Sequence, residues 1–247
     1  MLQDTTGIVL KSTPFRDTSM VARIFTHEFG KMSLLAKGIR KSKIGTSGIL
    51  EPMNKVNFQV NYKEAMDLQI LRDLTLVSAL TKIRNDFTRL TIGLAMVDMI
   101  DKTMQPKDAS SILFRLLSRS LEELNSHTSD VQYLYLFYQV QLAKYSGFNP
   151  IPHHCMNCGA VLNECVLDKT TGSLNCKPCG TPDALFLPSG CCEFLTSLSQ
   201  TYISNIQDIY IDTDEFKLVK KYLNSFLPLH LHGIEKAKTL QLISQTL

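Results

Sequence analysis

The hydrophobic rhythm of the chain changes near residue 78. In "VNFQVNY" (56–62), Val56, Phe58, Val60 and Tyr62 alternate with Asn57, Gln59 and Asn61. That period of two marks a half-buried strand. "TGIVLKSTPF", "SMVARIFTHEFG", "KMSLLAKGI" and "MDLQILRDLTLV" are also strand-like, with Gly30 and Lys31 suited to the turn between the second and third. Five short strands, read as antiparallel, predict a small closed barrel over residues 1–77.

Beyond it the period becomes 3.6. Ile83, Phe87, Leu90, Leu94, Val97 and Ile100 form one helical stripe, stopped by Pro106, which lacks the N–H a continuing helix needs. Ile112, Leu113, Leu116, Leu117, Leu121 and Leu124 form a second stripe, and Val131, Leu134, Tyr135, Tyr138, Leu142 and Tyr145 a third, ended by Gly147 and Pro150. Three amphipathic helices with short connections read as a bundle. "PSGCCEFLTSLSQ" opens a further helix with Ser189 at its N-cap. Residues 212–227 form another, acids first and lysines later, and "IEKAKTLQLISQTL" is read as a last one. The fold class is α+β: a β-barrel domain over 1–77, then a helical domain over 78–247 interrupted by a cysteine-rich segment at 153–182.

That segment holds five of the seven cysteines. Cys155 and Cys158 form one C-x-x-C and Cys176 and Cys179 another, with 17 residues between the pairs. This is the spacing of a tetrahedral zinc site. Gly159 and Gly180 follow the second cysteine of each pair, where a positive φ turns backbone N–H groups toward sulfur. "DKTTG" reads as the turn of a hairpin joining the two knuckles, which makes a zinc ribbon. A disulfide staple conflicts with a reducing compartment. A redox pair would need a βαβ setting that neither motif has. With four thiolates the site is closed and structural, one zinc per chain. Cys165 falls outside the spacing, Cys191 and Cys192 read as buried thiols, and His153 and His154 are the weaker candidate ligands.

Composition is ordinary for a globular protein, with 44% hydrophobic and 20% charged residues. The net charge of +3 hides an asymmetry: residues 1–63 carry ten Lys and Arg against four Asp and Glu, the remainder sixteen against nineteen. A basic head calls for a polyanion. "AKGIRKSKIGTSG" (36–48) presents Lys37, Arg40, Lys41 and Lys43 among small residues, as a loop gripping a nucleic-acid backbone would. Lys11, Arg16, Arg23 and Lys31 lie on neighbouring strands or turns. Phe15, Phe29 and Tyr62 could stack on bases or serve as barrel core. The opening residues lack the basic and apolar regions of a secretory signal, and "LTIGLAMVDMI" (90–100) is too short to cross a bilayer. A cytoplasmic protein is the expectation. No P-loop, H-E-x-x-H, G-x-S-x-G or G-x-G-x-x-G is present, and Asp98 and Asp101 read as the solvent face of their helix rather than as a nuclease pair.

A basic five-strand head, a helical body and an inserted four-cysteine ribbon together resemble the bacterial RecO family. "GIVLKSTPFRDTSMVARIFTHEFGKMSLLAKGIRKSK" resembles that family's opening in order and spacing, "LEPMNKVNF" its next strand, and "YSGFNP" followed by "CMNCG" its approach to the zinc site. The resemblance implies an OB-fold head that binds single- and double-stranded DNA and anneals complementary strands. It implies association with RecR, docking of the C-terminal tail of single-stranded-DNA-binding protein on the helical body, and loading of RecA onto coated DNA, in the cytoplasm at the nucleoid. It carries over Lys37, Arg40, Lys41 and Lys43 as backbone contacts and the four cysteines as zinc ligands, with no catalytic residue. The slightly acidic body argues against a second broad DNA surface there. Competing readings are a metal-dependent nuclease, which lacks an acid cluster near the head, and a zinc-ribbon adaptor gripping RNA.

Overall fold

The computed structural model describes residues 2–41, 46–126, 130–237 and 239. The chain divides into two compact units, residues 1–127 with 237–247, and residues 128–236.

In the first unit, β1 (Leu2–Phe15), β2 (Ser19–Thr26), β3 (Gly30–Ala36), β4 (Lys55–Asn61) and β5 (Leu68–Ser78) close an OB-like barrel in the order β1-β2-β3-β5-β4. The alternation read from the sequence sets its register. Val9, Ala22, Ile24, Met32, Leu34, Val56, Phe58 and Val60 point inward as one buried cluster. Not every pairing is antiparallel as expected: β3 and β5 run parallel, Leu34 opposite Gln69. Such a pair cannot be joined by a hairpin. Between them the sequence places the one-turn helix α1 (Thr46–Ile49), Leu50, which is fully buried in the barrel core, and β4, which pairs with β5.

The helical part differs from the three-stripe picture. Ile83 lies in the short α2 (Thr81–Arg84), and Phe87 opens α3 (Phe87–Thr103). Asp86 separates them, its carboxylate capping α3 by accepting from the Arg89 N–H at 2.9 Å. Phe87, read as stripe, is 71% exposed, whereas Ile92, Ala95, Met96, Val97, Met99 and Ile100 are buried around the helix. A helix wrapped on most sides shows no clean stripe. α4 (Ser111–Ser126) follows its stripe closely, with Leu113, Leu116, Leu117, Leu121 and Leu124 buried and Ile112 partly out. α3 and α4 group with the barrel rather than with the third-stripe helix, Val131–Tyr145, which falls in the second unit.

In the second unit, α5 (Val131–Tyr145) packs against α6 (Ser189–Gln200) and α7 (Thr213–His230). α5 is capped by Asp130 and α7 by Asp212, whose carboxylate accepts from the Asp214 and Glu215 N–H groups. Pro188, not Ser189, is the N-cap of α6; Ser189 is its first helical residue. A three-stranded sheet, β7 (Leu174–Asn175), β6 (Cys165–Leu167) and β8 (Leu185–Leu187), carries the cysteine segment. Of the expected last helix, Ile234–Lys236 is a 3-10 turn, and residues 238 and 240–247 lie outside the described residues. Among the described residues no helix is long and apolar enough to cross a membrane.

Candidate nucleic-acid interface and metal centre

The basic residues of the head fall into two groups. The first gathers at one rim of the barrel. Arg16 sits in the tight turn after β1 with φ 53°, its guanidinium 5.3 Å from the centre of the Phe15 ring. After β3 the chain folds back onto this turn. The Arg40 N–H donates to the Thr18 carbonyl at 3.0 Å, and its guanidinium donates to the carbonyls of Arg16 at 3.4 Å and Asp17 at 3.3 Å. The Arg40 backbone and guanidinium thus tie two loops together, and Arg16, Lys37, Arg40 and Lys41 remain exposed. Lys11 is exposed further along β1, opposite Arg23 on β2. Lys43 lies outside the described residues.

The second group turns toward α3. Arg23 Nη2 pairs with Asp101 Oδ2 at 2.8 Å, and Lys31 Nζ donates to the Asp101 carbonyl at 2.5 Å. The Asp101 side chain is 2% exposed and that of Arg23 34%. Asp101 therefore does not sit on a solvent face as expected; it is the buried counter-charge of the barrel. Burial pushes the Lys31 amine below its ordinary value; Asp101 pulls it up, and Arg23 and Lys102 push it further down. Sequence reasoning missed this pairing. The available signal was an acid inside the apolar run "LAMVDMID", a place where an unpaired carboxylate would be costly.

Phe29 and Tyr62 stack on each other, ring centroids 4.8 Å apart, and lean on the barrel core half-buried. Phe15 is partly exposed.

The four cysteines of the two C-x-x-C motifs converge. Their sulfurs all lie within 4.8 Å of one another, with Cys158 Sγ and Cys176 Sγ 3.7 Å apart. A tetrahedron with metal–sulfur bonds of 2.3 Å has edges of about 3.8 Å, so this donor set fits a metal ion. Each knuckle is closed by backbone bonds. Gly159 N–H donates to the Cys155 carbonyl at 2.9 Å and Cys179 N–H to that of Cys176 at 3.0 Å. Gly159 has the expected positive φ of 74°, but Gly180 has φ −76°. Glycine is needed at 180 for another reason: a Cβ there would lie 2.5 Å from Val166 Cγ2. The hairpin turn forms over the expected residues, Asp168 Oδ1 accepting from the Thr170 and Thr171 N–H groups. Burial opposes ionisation of Cys155, but the N–H groups of Cys176, Cys158 and Asn157 hold its thiol down to about 6. The Cys176 and Cys158 side chains instead push Cys179 up to about 12. Four thiolates this close repel one another, and only a cation between them reverses that. Among the described residues this is the one His, Cys, Asp or Glu group that could hold a metal ion; His153 and His154 stay exposed outside it. Cys165, Cys191 and Cys192 are buried apart from it, and burial pushes Cys191 up to about 12.

Comparison with known proteins supplies the context for both sites. The family model described as Recombination protein O N terminal matches residues 1–80, and Recombination protein O C terminal matches residues 84–239. A DNA repair protein RecO from Prosthecochloris aestuarii is 27% identical over 258 residues, spanning 99% of this chain and 98% of the relative. One from Pelodictyon phaeoclathratiforme is 27% identical over 259 residues, spanning 100% and 99%. One from Salinibacter ruber is 32% identical over 146 residues, spanning 59% and 56%. With family models covering barrel and helices alike, and relatives aligned from end to end, the chain belongs to the RecO family of DNA repair proteins.

Proposed function

We propose that the protein is a non-enzymatic DNA-repair mediator that binds single- and double-stranded DNA, anneals complementary strands and, with RecR, helps load RecA onto DNA coated by single-stranded-DNA-binding protein. It acts in the cytoplasm at the nucleoid, and the tail of the coating protein is its docking partner. The observation that carries this reading is the rim where Arg40 binds the β1–β2 turn, with Arg16, Lys37, Arg40 and Lys41 facing water. Lys43 continues that loop in sequence, and Lys11, Arg23 and Lys31 extend the positive field across β1, β2 and β3. Such a surface screens the repulsion between two strands and raises their encounter rate; annealing needs no bond-making residue.

The four cysteines would hold one zinc ion, which would neutralise the thiolates and brace the ribbon. Cys155, Cys158, Cys176 and Cys179, whose sulfurs lie close together, would fill every position of a tetrahedral site and leave none for substrate.

The test is strand annealing and binding across a salt series. Four to six neutralised phosphates give a log–log salt slope of roughly −3 to −4 on single strands. Replacing Lys37, Arg40 and Lys41 with alanine should flatten the slope by about 2 and slow annealing at least tenfold. An unchanged slope would remove the rim from the DNA site. Cleavage of labelled strands in Mg²⁺ without annealing would replace the mediator with a nuclease. Co-elution with RecR and titration with the tail peptide test the two protein partners.

A further inference from the structure

The connection between α3 and α4 lies directly on the β2–β3 turn. Gly30, at φ 64°, allows this approach, because a Cβ there would collide with the Asp108 carbonyl. The Lys107 N–H donates to the Lys31 carbonyl at 3.0 Å and fixes the connection in place. The outward face of β2 and β3, the segment around Tyr62–Gln69 and this connection enclose a cavity of about 300 Å³. That is the lower end of the range for ligand pockets, too small for a base pair.

Two independent features of the cavity point to one ligand class. The first is charge. Arg23, Lys31 and Lys107 all line it. The buried Asp101 carboxylate pairs with Arg23 at 2.8 Å and lies 4.0 Å from Lys102, while Lys31 reaches only its carbonyl. Lys107 pairs with Asp67 at 3.2 Å, but that carboxylate stands almost wholly in water. The lining carries three cations, Arg23, Lys31 and Lys107, against one carboxylate, Asp67, with Asp101 buried behind Arg23, so the balance stays positive and an anion entering the cavity is favoured. The second feature is the Phe29–Tyr62 ring pair in the same lining, an apolar face beside the charges.

We propose that this cavity seats one unpaired nucleotide of a bound DNA strand, its phosphate on Arg23, Lys31 and Lys107 and its base against the Phe29–Tyr62 pair. The proposal rests on the DNA-binding reading above and adds to it a subsite for a single base. Its position also sets a strand path. Lys31 is the second residue of β3 and Lys37 follows its end, so six residues, about 20 Å, separate Lys31 from Lys37 at the rim. Arg23 and Ser33 lie abreast in the cavity wall on β2 and β3, and Lys11 stands beside Arg23 on β1. A single strand touching both ends runs along this outward face. The seated nucleotide could be a strand end or an internal base turned out of the stack.

The test uses the full chain and two probes. Deoxyadenosine monophosphate is titrated against inorganic phosphate and deoxyadenosine by calorimetry. Single strands carrying 2-aminopurine at the 5′ end, the 3′ end or the middle report stacking by loss of fluorescence and separate the two sources. The mononucleotide should bind more tightly than either fragment, and at least one labelled position should be quenched. Tyr62→Leu should weaken the mononucleotide about 5- to 100-fold, as loss of a stacking partner does. Ser33→Phe, which fills the cavity and spares the ring pair, should do the same where Tyr62→Leu disturbs folding. Either variant should leave a long strand bound, weakened by no more than the mononucleotide is, because the rim contacts remain. Long strands binding normally while the mononucleotide binds no better than phosphate, or binds both variants like the unaltered chain, would overturn the proposal alone. Failure of long strands to bind at all would overturn the DNA-binding reading instead.

Discussion

At the scale of single residues, Asp101 shows how one side chain can set the chemistry of a surface it does not belong to. It sits on α3, yet it fixes Arg23 on β2 through its carboxylate and Lys31 on β3 through its carbonyl. Its second carboxylate oxygen, Oδ1, is buried without a protein partner, so the pairing is incomplete and costly to weaken further. Asp101→Asn should lower stability by about 2 kcal/mol, less than for a fully buried pair because Arg23 keeps contact with water. Denaturant unfolding measures this, and an unchanged midpoint would show the pair to be energetically idle. The residue was visible in the sequence as an acid within an apolar helix. Its partner was not, because nothing in a one-dimensional pattern says which strand a helix will lie across.

At the scale of elements, the ribbon was the most legible part of the chain. Two C-x-x-C motifs, a spacer with a turn sequence and a glycine after each pair are local signals, and the knuckles are closed by local backbone bonds. Purified protein should contain about one equivalent of zinc, and Cys176→Ser should lose most of it while unfolding the 153–182 segment; elemental analysis and proteolysis read the two effects. Metal retention should fall as pH drops, since protons compete for the same sulfurs. The strands were legible for the same reason: alternation reports one buried face, and a barrel has one. α3 and α5 were poorly legible as stripes because partners surround them. α5 buries Leu134 through Ala143 without a break. The parallel β3–β5 closure was not legible at all, since strand direction depends on where the intervening chain travels.

At the scale of the whole molecule, the two units carry different liabilities. The first holds its excess positive charge in water, so its behaviour is governed by salt. The second encloses three tyrosines, Tyr135 and Tyr138 on α5 and Tyr222 on α7, and desolvation pushes all three phenols above their ordinary value. Folded pKa values above the unfolded ones leave stability intact below pH of about 10, where both states are neutral, and remove it as pH rises beyond that. Residues 128–236 should therefore unfold in alkali before the barrel does. Circular dichroism with tyrosine absorbance across pH 9–12 checks the order, and loss of the barrel first would contradict it.

The first unit is discontinuous: Ala237 and Thr239, which follow the second unit in sequence, group with residues 1–127, and Thr239 Oγ1 donates to Asp98 on α3 at 3.0 Å. During translation, the barrel and its two helices emerge long before that returning piece is made. The whole second unit, residues 128–236, is synthesised before the Thr239–Asp98 contact can form. A nascent chain stalled before residue 237 would hold the barrel and α3 without the Thr239 hydroxyl that reaches Asp98.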